Sequence, residues 1–255
     1  MQKKGITLAI ANQKGGVGKT STALALASGL SGKGFKVLAI DADAQGNFTF
    51  ASGATGAGAS VFGLLAGEVK AGQAIVNLPE FDVITASKSL VGADATIDGV
   101  GKAFRLREGL EEVRGNYDFI ILDCPPQLGV VTVNCLTAAD FVIVPCFADA
   151  FSLQGITDLF DTIADVRKYC NQALQVMGLL LTKYSTRTTI AKDLAENLGE
   201  LAEKLGTKVF KTRIREGVAL RECQLLKKSV FDYAPQAGVA DDYRQLVEEI
   251  LEGVK

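Results

Sequence analysis

The stretch NQKGGVGKTS, from Asn12 to Ser21, constrains the fold of this chain more than any other segment. It follows the apolar run ITLAIA and precedes a segment with helical spacing, so its glycines connect a strand to a helix. In that context the pattern Gly-x-x-x-x-Gly-Lys-Thr predicts a phosphate loop, because backbone N–H groups and the N-terminus of the helix point at anionic oxygens. The loop contains a second lysine, Lys14, five residues before Lys19 of the pattern.

Short apolar runs alternate with amphipathic segments along the rest of the chain. Runs such as FIILD and FVIVP are apolar on both faces, which is typical of central strands in a parallel sheet. The predicted strands are Ile6–Ala11, Lys36–Asp41, Phe81–Ala86, Phe119–Asp123, Phe141–Pro145, Val176–Thr182 and Lys208–Thr212. The predicted helices are Lys19–Ser31, Ser60–Leu65, Lys102–Arg114, Val130–Ala138, Leu153–Tyr169, Thr189–Leu205, Val218–Leu226 and Asp241–Leu251. This order predicts an α/β fold with a doubly wound, mostly parallel sheet and helices on both faces.

Length and composition limit the number of domains. The chain has 255 residues, of which 48% are hydrophobic, enough for one sizeable core. We expect residues 1–255 to form a single P-loop domain without an N-terminal DNA-binding extension, because only MQKKG precedes the first predicted strand. The segment Gly46–Ala59, rich in Gly, Ala, Ser and Thr, is predicted to be a mobile loop.

Charge, histidine and cysteine content exclude several classes of function. The net charge of -2 means that any nucleic-acid contact has to come from a local basic patch. The chain contains no histidine, which excludes His-based catalytic triads and His metal sites. Five scattered cysteines without a C-x-x-C pair indicate a reduced, cytosolic protein whose thiols fill the core.

The phosphate loop and two strand ends supply the candidate nucleotide-binding residues. Lys19 would reach the β- and γ-phosphates, and Thr20 would offer its hydroxyl to Mg²⁺. Asp41 and Asp43 end one predicted strand and Asp123 ends another, at the sheet edge where ligands bind in open parallel sheets. Asp123 would hold Mg²⁺ directly or through water. The full set of predicted ATP-binding residues is Lys14, Gly15, Gly16, Val17, Gly18, Lys19, Thr20 and Ser21.

Several motifs together resemble those of the ParA/MinD family of ATPases. KGGVGKTS resembles the deviant Walker A box of that family, and DADAQGN resembles its D-x-D-P-Q-G-N segment. YDFIILDCPPQLGVVTVNCLTAADFVIVP is similar to the switch II region and following strand of chromosomal, Soj-type ParA proteins, and LLTKYSTRTTIAKDL resembles their late strand and loop. The resemblance extends from Ile6 to Leu251. It implies a P-loop NTPase of the deviant Walker A type that uses ATP and Mg²⁺ and segregates chromosomal or plasmid DNA.

The resemblance also implies roles for individual residues. Lys14 would reach across the interface of an ATP-bound homodimer to the nucleotide of the other subunit, and Asp43 would orient the attacking water. Lys14, Lys19 and Asp43 are therefore the expected catalytic residues. Hydrolysis would be slow until a ParB-like protein or another cargo adaptor stimulates it. A cytoplasmic, nucleoid-associated protein that makes no membrane contact is expected.

The expected DNA contacts lie late in the chain, where the sequence departs from the family pattern. Soj-type proteins read T-x-I-P-R-N-V-R-L there, and this chain reads TRIREGVAL, with Arg215 at the proline and Glu216 and Ala219 at the two arginines. The segment from Lys204 to Lys228 nevertheless holds eight basic residues against Glu216 and Glu222. Non-specific DNA binding is predicted for Arg187, Arg213, Arg215, Arg221, Lys227 and Lys228.

Other members of the same superfamily suggest alternative functions. A ParA-like ATPase can position a protein cargo, such as a carboxysome, a chemotaxis array or a flagellar assembly. A MinD-like membrane ATPase would end in a basic amphipathic helix, whereas this chain ends in the acidic DDYRQLVEEILEGVK. A metal-cluster protein of the nitrogenase-iron-protein or Mrp type would need paired cysteines.

Overall fold

The computed structural model describes residues 5–55, 58–147, 150–184 and 189–254, without the side chains of 150–153 and 189–196. Seven strands form one sheet in the order β3-β4-β2-β5-β1-β6-β7. Their bounds are Ile6–Ile10 (β1), Val37–Asp41 (β2), Ile75–Asn77 (β3), Asp82–Ile84 (β4), Phe119–Asp123 (β5), Phe141–Cys146 (β6) and Gln175–Leu181 (β7). Every pairing is parallel except that of the edge strand β3 with β4, so the predicted doubly wound, mostly parallel sheet is confirmed.

Helices follow most of the strands. The helices in chain order are Lys19–Gly32 (α1), Asn47–Ser52 (α2), Val61–Ala66 (α3), Ala71–Ala74 (α4), Ala93–Thr96 (α5), Arg105–Arg114 (α6), Val130–Ala138 (α7), Ala150–Tyr169 (α8), Thr189–Lys204 (α9), Val218–Leu225 (α10), Val230–Tyr233 (α11) and Gly238–Gly253 (α12). Two 3₁₀ turns cover Lys88–Gly92 and Lys102–Phe104. Within the described residues, none of the helices combines the length and the apolar character that crossing a membrane requires.

The strands bury both of their faces, as their continuous apolar sequences predict. In β5, Ile120 and Leu122 enter a cluster with α3, α6, α7 and α8, whereas Phe119 and Ile121 enter a second cluster with α1 and α12. The five cysteines have free thiols, and all but Cys170 are buried.

The centre of the sheet provides the place for a ligand. β1 lies between β5 and β6, and the chain leaves β1 toward β2 on one side and later returns to β6 on the other. A reversal of strand order of this kind opens a crevice at the carboxyl ends of the strands. The register aligns Ile10 of β1 and Asp41 of β2 with Asp123 of β5, so the phosphate loop and both aspartates share that edge.

The structure corrects two of the predicted elements. The Gly46–Ala59 segment, predicted to be a mobile loop, contains helix α2. Phe48 of this helix is buried. The Asp41 carboxylate holds the helix, because it accepts hydrogen bonds from the backbone N–H and the hydroxyl of Thr49, both at 2.7 Å. Lys208–Thr212 was predicted to be a strand, yet it forms only an isolated bridge between Val209 and Leu179.

Candidate nucleotide-binding site

The phosphate loop turns sharply into α1 at two glycines. Gly16 and Gly18 have φ angles of 73° and 90°, a region that residues with a Cβ rarely adopt. Gly18 is the N-cap of α1, so the first free N–H groups of the helix point out of this turn. The Thr182 hydroxyl, at the end of β7, donates to the Val17 carbonyl at 2.8 Å and fixes the loop to the sheet edge.

The first half of the loop is fixed by Asn12. Its amide donates to the Pro145 carbonyl at 2.7 Å, and its side-chain oxygen accepts from the backbone N–H of Lys14 at 2.9 Å. The Lys19 ammonium donates to the Lys14 carbonyl at 3.0 Å, so that side chain lies along the inside of the loop. The loop is therefore shaped by its own residues and its neighbours.

The two lysines of the loop occupy different environments. Lys19 is 7% exposed, and burial lowers its pKa although the nearby Asp123 carboxylate raises it. The Lys14 side chain extends toward the end of β6, where its ammonium lies 5.4 Å from the centre of the Phe147 ring. The Lys183 ammonium lies over the same ring at 4.7 Å. Lys19 therefore lies along the inside of the loop, whereas the half-buried Lys14 side chain is directed toward Phe147.

Asp123 meets the phosphate loop through Thr20. The Thr20 hydroxyl donates to Asp123 Oδ2 at 2.8 Å, whereas Asp123 Oδ1 is buried and has no hydrogen-bond partner among the described residues. Burial, with the neighbouring Asp41 carboxylate, raises the pKa of Asp123 well above its ordinary value. A hard cation fits this pair, because Mg²⁺ prefers oxygen ligands and a buried carboxylate oxygen without a partner is rare.

Asp41 and Asp43 differ in burial and in partners. Asp41 is completely buried, and its oxygens accept from the Asp43 N–H at 3.2 Å and from Thr49. The half-buried Asp43 carboxylate lines the cleft beside the phosphate loop and accepts from the Gln45 N–H at 3.0 Å. Asp41 therefore holds α2, and Asp43 faces the space where a ligand would lie.

A cleft of about 770 Å³ opens in front of the phosphate loop. Its lining from that loop and the strand ends includes Gly15, Gly16, Gly18, Lys19, Thr20, Ser21, Asp43, Thr182 and Lys183. The late segment of the chain contributes Ile214, Arg215, Glu216, Gly217, Leu220, Arg221, Gln224, Leu225 and Tyr243. The predicted ATP-binding residues thus meet at one edge of the sheet, but two of them do not line the cleft: Val17 is fully buried, and the Lys14 side chain is directed toward Phe147.

The residues predicted to contact DNA are only partly brought together. Arg187 lies outside the described residues. The five others are all exposed: Arg213, Arg215, Arg221, Lys227 and Lys228. Arg221 lines the cleft, the Arg213 guanidinium lies 4.6 Å from the Tyr184 ring centre, and the Lys227 ammonium lies 5.3 Å from that of Phe50. Arg215 also forms an ion pair with Asp242 at 2.8 Å, so part of its hydrogen-bonding capacity is used within the chain.

Sequence reasoning missed several residues that shape the site. Thr182 holds the phosphate loop, and Gln224 of α10 donates to the Ser21 hydroxyl at 2.8 Å. Thr182 ends a parallel strand in the same way as Asp123, so the argument that identified the aspartate also applies to it. Gln224 has no signal in the sequence, because its contact depends on how α10 packs on α1.

A phosphate loop at the reversal of a parallel sheet, with Thr20 and Asp123 in contact, defines a P-loop ATPase that uses ATP and Mg²⁺. A family model described as an AAA domain matches residues 5–176. The Thermus thermophilus chromosome-partitioning ATPase Soj is 39% identical over 248 residues, covering 97% of this chain and 96% of that protein. The Caulobacter vibrioides chromosome partitioning protein ParA is 38% identical over 251 residues, covering 96% and 93%.

A solved structure shows the same fold with ligands. The crystal structure of cobyrinic acid a,c-diamide synthase from Mycobacterium smegmatis with a bound ATP analogue and magnesium has a TM-score of 0.84 at 32% identity, covering 97% of this chain and 94% of that chain. The chain described here belongs to the ParA/Soj family of chromosome-partitioning P-loop ATPases, as its motifs predicted.

Proposed function

We propose that residues 1–255 act as one P-loop domain that forms an ATP-dependent homodimer, binds DNA without sequence preference and segregates chromosomal or plasmid DNA. In this proposal ATP is the substrate bound by Lys14–Ser21, and Thr20 and Asp123 hold Mg²⁺. The metal would supply charge neutralisation at the β- and γ-phosphate oxygens. Hydrolysis is slow until a ParB-like protein or another cargo adaptor improves the geometry, and the protein acts on the nucleoid in the cytoplasm.

The placement of Lys14 is the observation that carries the proposal. Lys19 already serves the loop from inside, with its ammonium 3.0 Å from the Lys14 carbonyl. The half-buried Lys14 side chain is directed elsewhere, with its ammonium near the Phe147 ring and outside the lining of the cleft. In this proposal a second subunit that faces the loop meets Lys14 there. A lysine contributed to the partner's triphosphate offsets charge that accumulates during phosphoryl transfer. The dimer would then close around ATP and not around ADP.

The catalytic roles follow from the surroundings of each group. Lys19 is buried beside the carboxylates of Asp123 and Asp43, which suits a cation that accompanies the phosphates. Asp43 faces the cleft without serving the fold as Asp41 does, so its carboxylate is available to align a water. A carboxylate close to a γ-phosphate is repelled unless cations surround it, which favours slow turnover.

DNA binding is assigned to the exposed basic residues beside the cleft. Arg213, Arg221, Lys227 and Lys228 are exposed, and we retain Arg187 and Arg215 as weaker candidates. One copy offers few phosphate contacts, whereas two copies on one duplex roughly double them. ATP would therefore control DNA residence through dimerisation. The exposed basic residues favour a function in DNA segregation. The alternative function is that of a ParA-like ATPase that positions a protein cargo.

The C-terminal helix bears on the membrane alternative. The apolar side of α12, including Val239, Tyr243, Leu246 and Ile250, is buried against the core. A membrane-binding amphipathic helix needs its apolar face available to lipid. The arrangement favours a helix that completes the fold, and we propose no membrane partner.

Sedimentation tests the dimer. The wild-type protein is measured with saturating ADP and with a non-hydrolysable ATP analogue, and Lys14→Ala is measured in the same conditions. We expect a doubled mass only for the wild type with the ATP analogue, while Lys14→Ala still binds nucleotide. Equal monomer masses for the wild type in both nucleotides would refute the proposal.

Gel shifts on two unrelated duplexes at two salt concentrations test the DNA contact. Arg213→Glu with Arg221→Glu is compared with Lys70→Glu and Lys168→Glu, two exposed lysines outside the basic segment. We expect the first pair to abolish an ATP-dependent, salt-sensitive shift and the second pair to retain it. No shift of the wild type at low salt would favour a protein cargo.

A further inference from the structure

Residues 214–217 form part of the cleft lining, and two sets of hydrogen bonds hold them there. On one side, the Ile214 N–H donates to the Leu181 carbonyl at 2.8 Å and the Tyr184 N–H donates to the Ile214 carbonyl at 3.0 Å. These bonds attach the segment to the end of β7. On the other side, Arg215 connects the segment to α12.

Asp242 accepts three hydrogen bonds from this one arginine. The Arg215 backbone N–H and Nε donate to Asp242 Oδ2 at 2.9 and 2.8 Å, and Nη2 donates to Oδ1 at 2.8 Å. The Asp242 side chain is only 6% exposed, whereas that of Arg215 is 59% exposed. A buried carboxylate needs such partners, because leaving it unpaired is far more costly than losing an exposed charge. The pair thus determines where the Arg215 backbone lies.

The first residue of α12 is shaped for the guanidinium. A Cβ at Gly238 would lie 2.7 Å from Arg215 Cζ and 3.1 Å from Nε. The guanidinium therefore rests directly on the Gly238 backbone, and only glycine leaves that space. A methyl group there would displace the flexible end of the arginine and not the helix, so Gly238→Ala disturbs the contact between the two side chains without deleting either partner.

We propose that Arg215 and Asp242, with Gly238 beneath the guanidinium, position residues 214–217 for the base and ribose of the bound nucleotide. This inference rests on the proposed ATP site. A triphosphate held at the N-terminus of α1 leaves its nucleoside in the same cleft, which residues 214–217 line on the side of the late segment and Asn47 and Phe50 line on the side of α2. Arg215 is then a positioning residue of the nucleotide site and contributes little to DNA contact.

The test compares ligands that use different parts of the cleft. Dissociation constants for ATP, ADP and inorganic tripolyphosphate are measured by calorimetry on Asp242→Asn and Gly238→Ala. Tripolyphosphate needs the phosphate loop alone, whereas the nucleotides also need residues 214–217. We expect Asp242→Asn to bind ATP and ADP roughly tenfold more weakly, since the charge pair is lost, and Gly238→Ala to lose affinity in the same direction but less, since the Arg215 backbone bond remains. Tripolyphosphate affinity should be unchanged in both. The ratio of the nucleotide affinity to the tripolyphosphate affinity, measured on one sample, does not depend on the fraction of the protein that is folded.

Asp241→Asn is the matched control, because Asp241 precedes Asp242 on the same helix but pairs with the exposed Arg244. It should behave as the wild type with all three ligands. Unchanged ATP affinity in Gly238→Ala and Asp242→Asn would overturn the inference, as would an equal loss for tripolyphosphate. If the two variants lose DNA binding and keep their nucleotide affinity, Arg215 is a DNA-binding residue and the inference is wrong. Failure of the wild type to bind ATP with Mg²⁺ would instead refute the proposed function.

Discussion

The Thr20 hydroxyl donates a 2.8 Å hydrogen bond to Asp123 Oδ2, and the second oxygen of that carboxylate is buried without a partner among the described residues. The contact joins the first turn of α1 to the end of β5, two elements that are 103 positions apart in the chain. Thr20 and Asp123 are therefore the residues that would hold Mg²⁺, since that ion prefers hydroxyl and carboxylate oxygens.

Asp123→Asn should remove the effect of Mg²⁺ on ATP affinity. Calorimetry of ATP with Mg²⁺ and with a chelator should give nearly equal affinities for this variant, whereas the wild type should lose roughly 10- to 100-fold with the chelator. Asp161→Asn, which changes an exposed carboxylate of α8, is the control and should behave as the wild type. A full Mg²⁺ effect in Asp123→Asn would remove Asp123 from the metal site.

Asp43→Ala should separate binding from turnover. ATP affinity should stay close to that of the wild type while phosphate release falls roughly 100-fold, because a group that aligns water acts on the reaction and not on the phosphates. Asp41→Ala should instead lower the melting temperature, since it removes the partner of Thr49 in α2. If Asp43→Ala abolishes ATP binding, Asp43 is a metal-binding or structural residue.

Asp94 should stabilise the start of α7. Its Oδ1 accepts from the Val130 N–H at 2.7 Å, so Asp94→Ala should lower the free energy of unfolding by about 1 kcal/mol. A Cβ at Gly129 would lie 3.0 Å from Asp94 Cγ, so Gly129→Ala should cost a similar amount. Urea denaturation of the double variant should show no further loss beyond Asp94→Ala. Simple additivity would contradict this contact.

Glu249 should make the protein sensitive to acid. Burial is the largest single influence and raises the pKa of Glu249, but the Thr212 and Lys211 N–H groups, the Thr212 hydroxyl and the charge of Lys208 together bring the pKa below its ordinary value. A depressed pKa stabilises the fold above the unfolded value, about 4.3, and the gain is lost as the pH falls through the folded value. Glu249→Gln should therefore lower the melting temperature at pH 7 and have less effect near pH 3. An equal change in melting temperature at pH 7 and near pH 3 would show that ionised Glu249 does not stabilise the fold.

Local sequence predicted the elements that carry their own signal. The phosphate loop, α7 at Val130–Ala138 and β5 at Phe119–Asp123 were predicted with the bounds that the structure shows, because glycines or continuous apolar runs mark them. The carboxyl ends of these parallel strands then located Asp43 and Asp123 at the site. The fold was predicted for the same reason, whereas the family was predicted from the resemblance of several motifs to those of ParA/MinD ATPases.

Distant partners decided the elements that were not predicted. Helix α2 forms in a sequence of loop composition because Asp41 holds Thr49. Lys208–Thr212 has a strand-like sequence, but Glu249 takes the N–H groups of Lys211 and Thr212. Arg215 counted as a free positive charge until the structure placed it on Asp242. The local sequence around Thr49, Thr212 or Arg215 does not indicate that its hydrogen-bond partner lies on another element.

The central claim is that Lys14 acts on the nucleotide of the other subunit. Lys14→Ala and Asp43→Ala are each inactive in this account, but a mixed dimer contains one site with its own Asp43 and with Lys14 from the partner. Adding increasing amounts of Asp43→Ala to Lys14→Ala should restore ATP hydrolysis to at most about half of the wild-type rate per dimer, because each mixed dimer has one complete site and Lys14→Ala does not dimerise by itself. No recovery at any mixing ratio would show that Lys14 acts within its own subunit and would contradict the account.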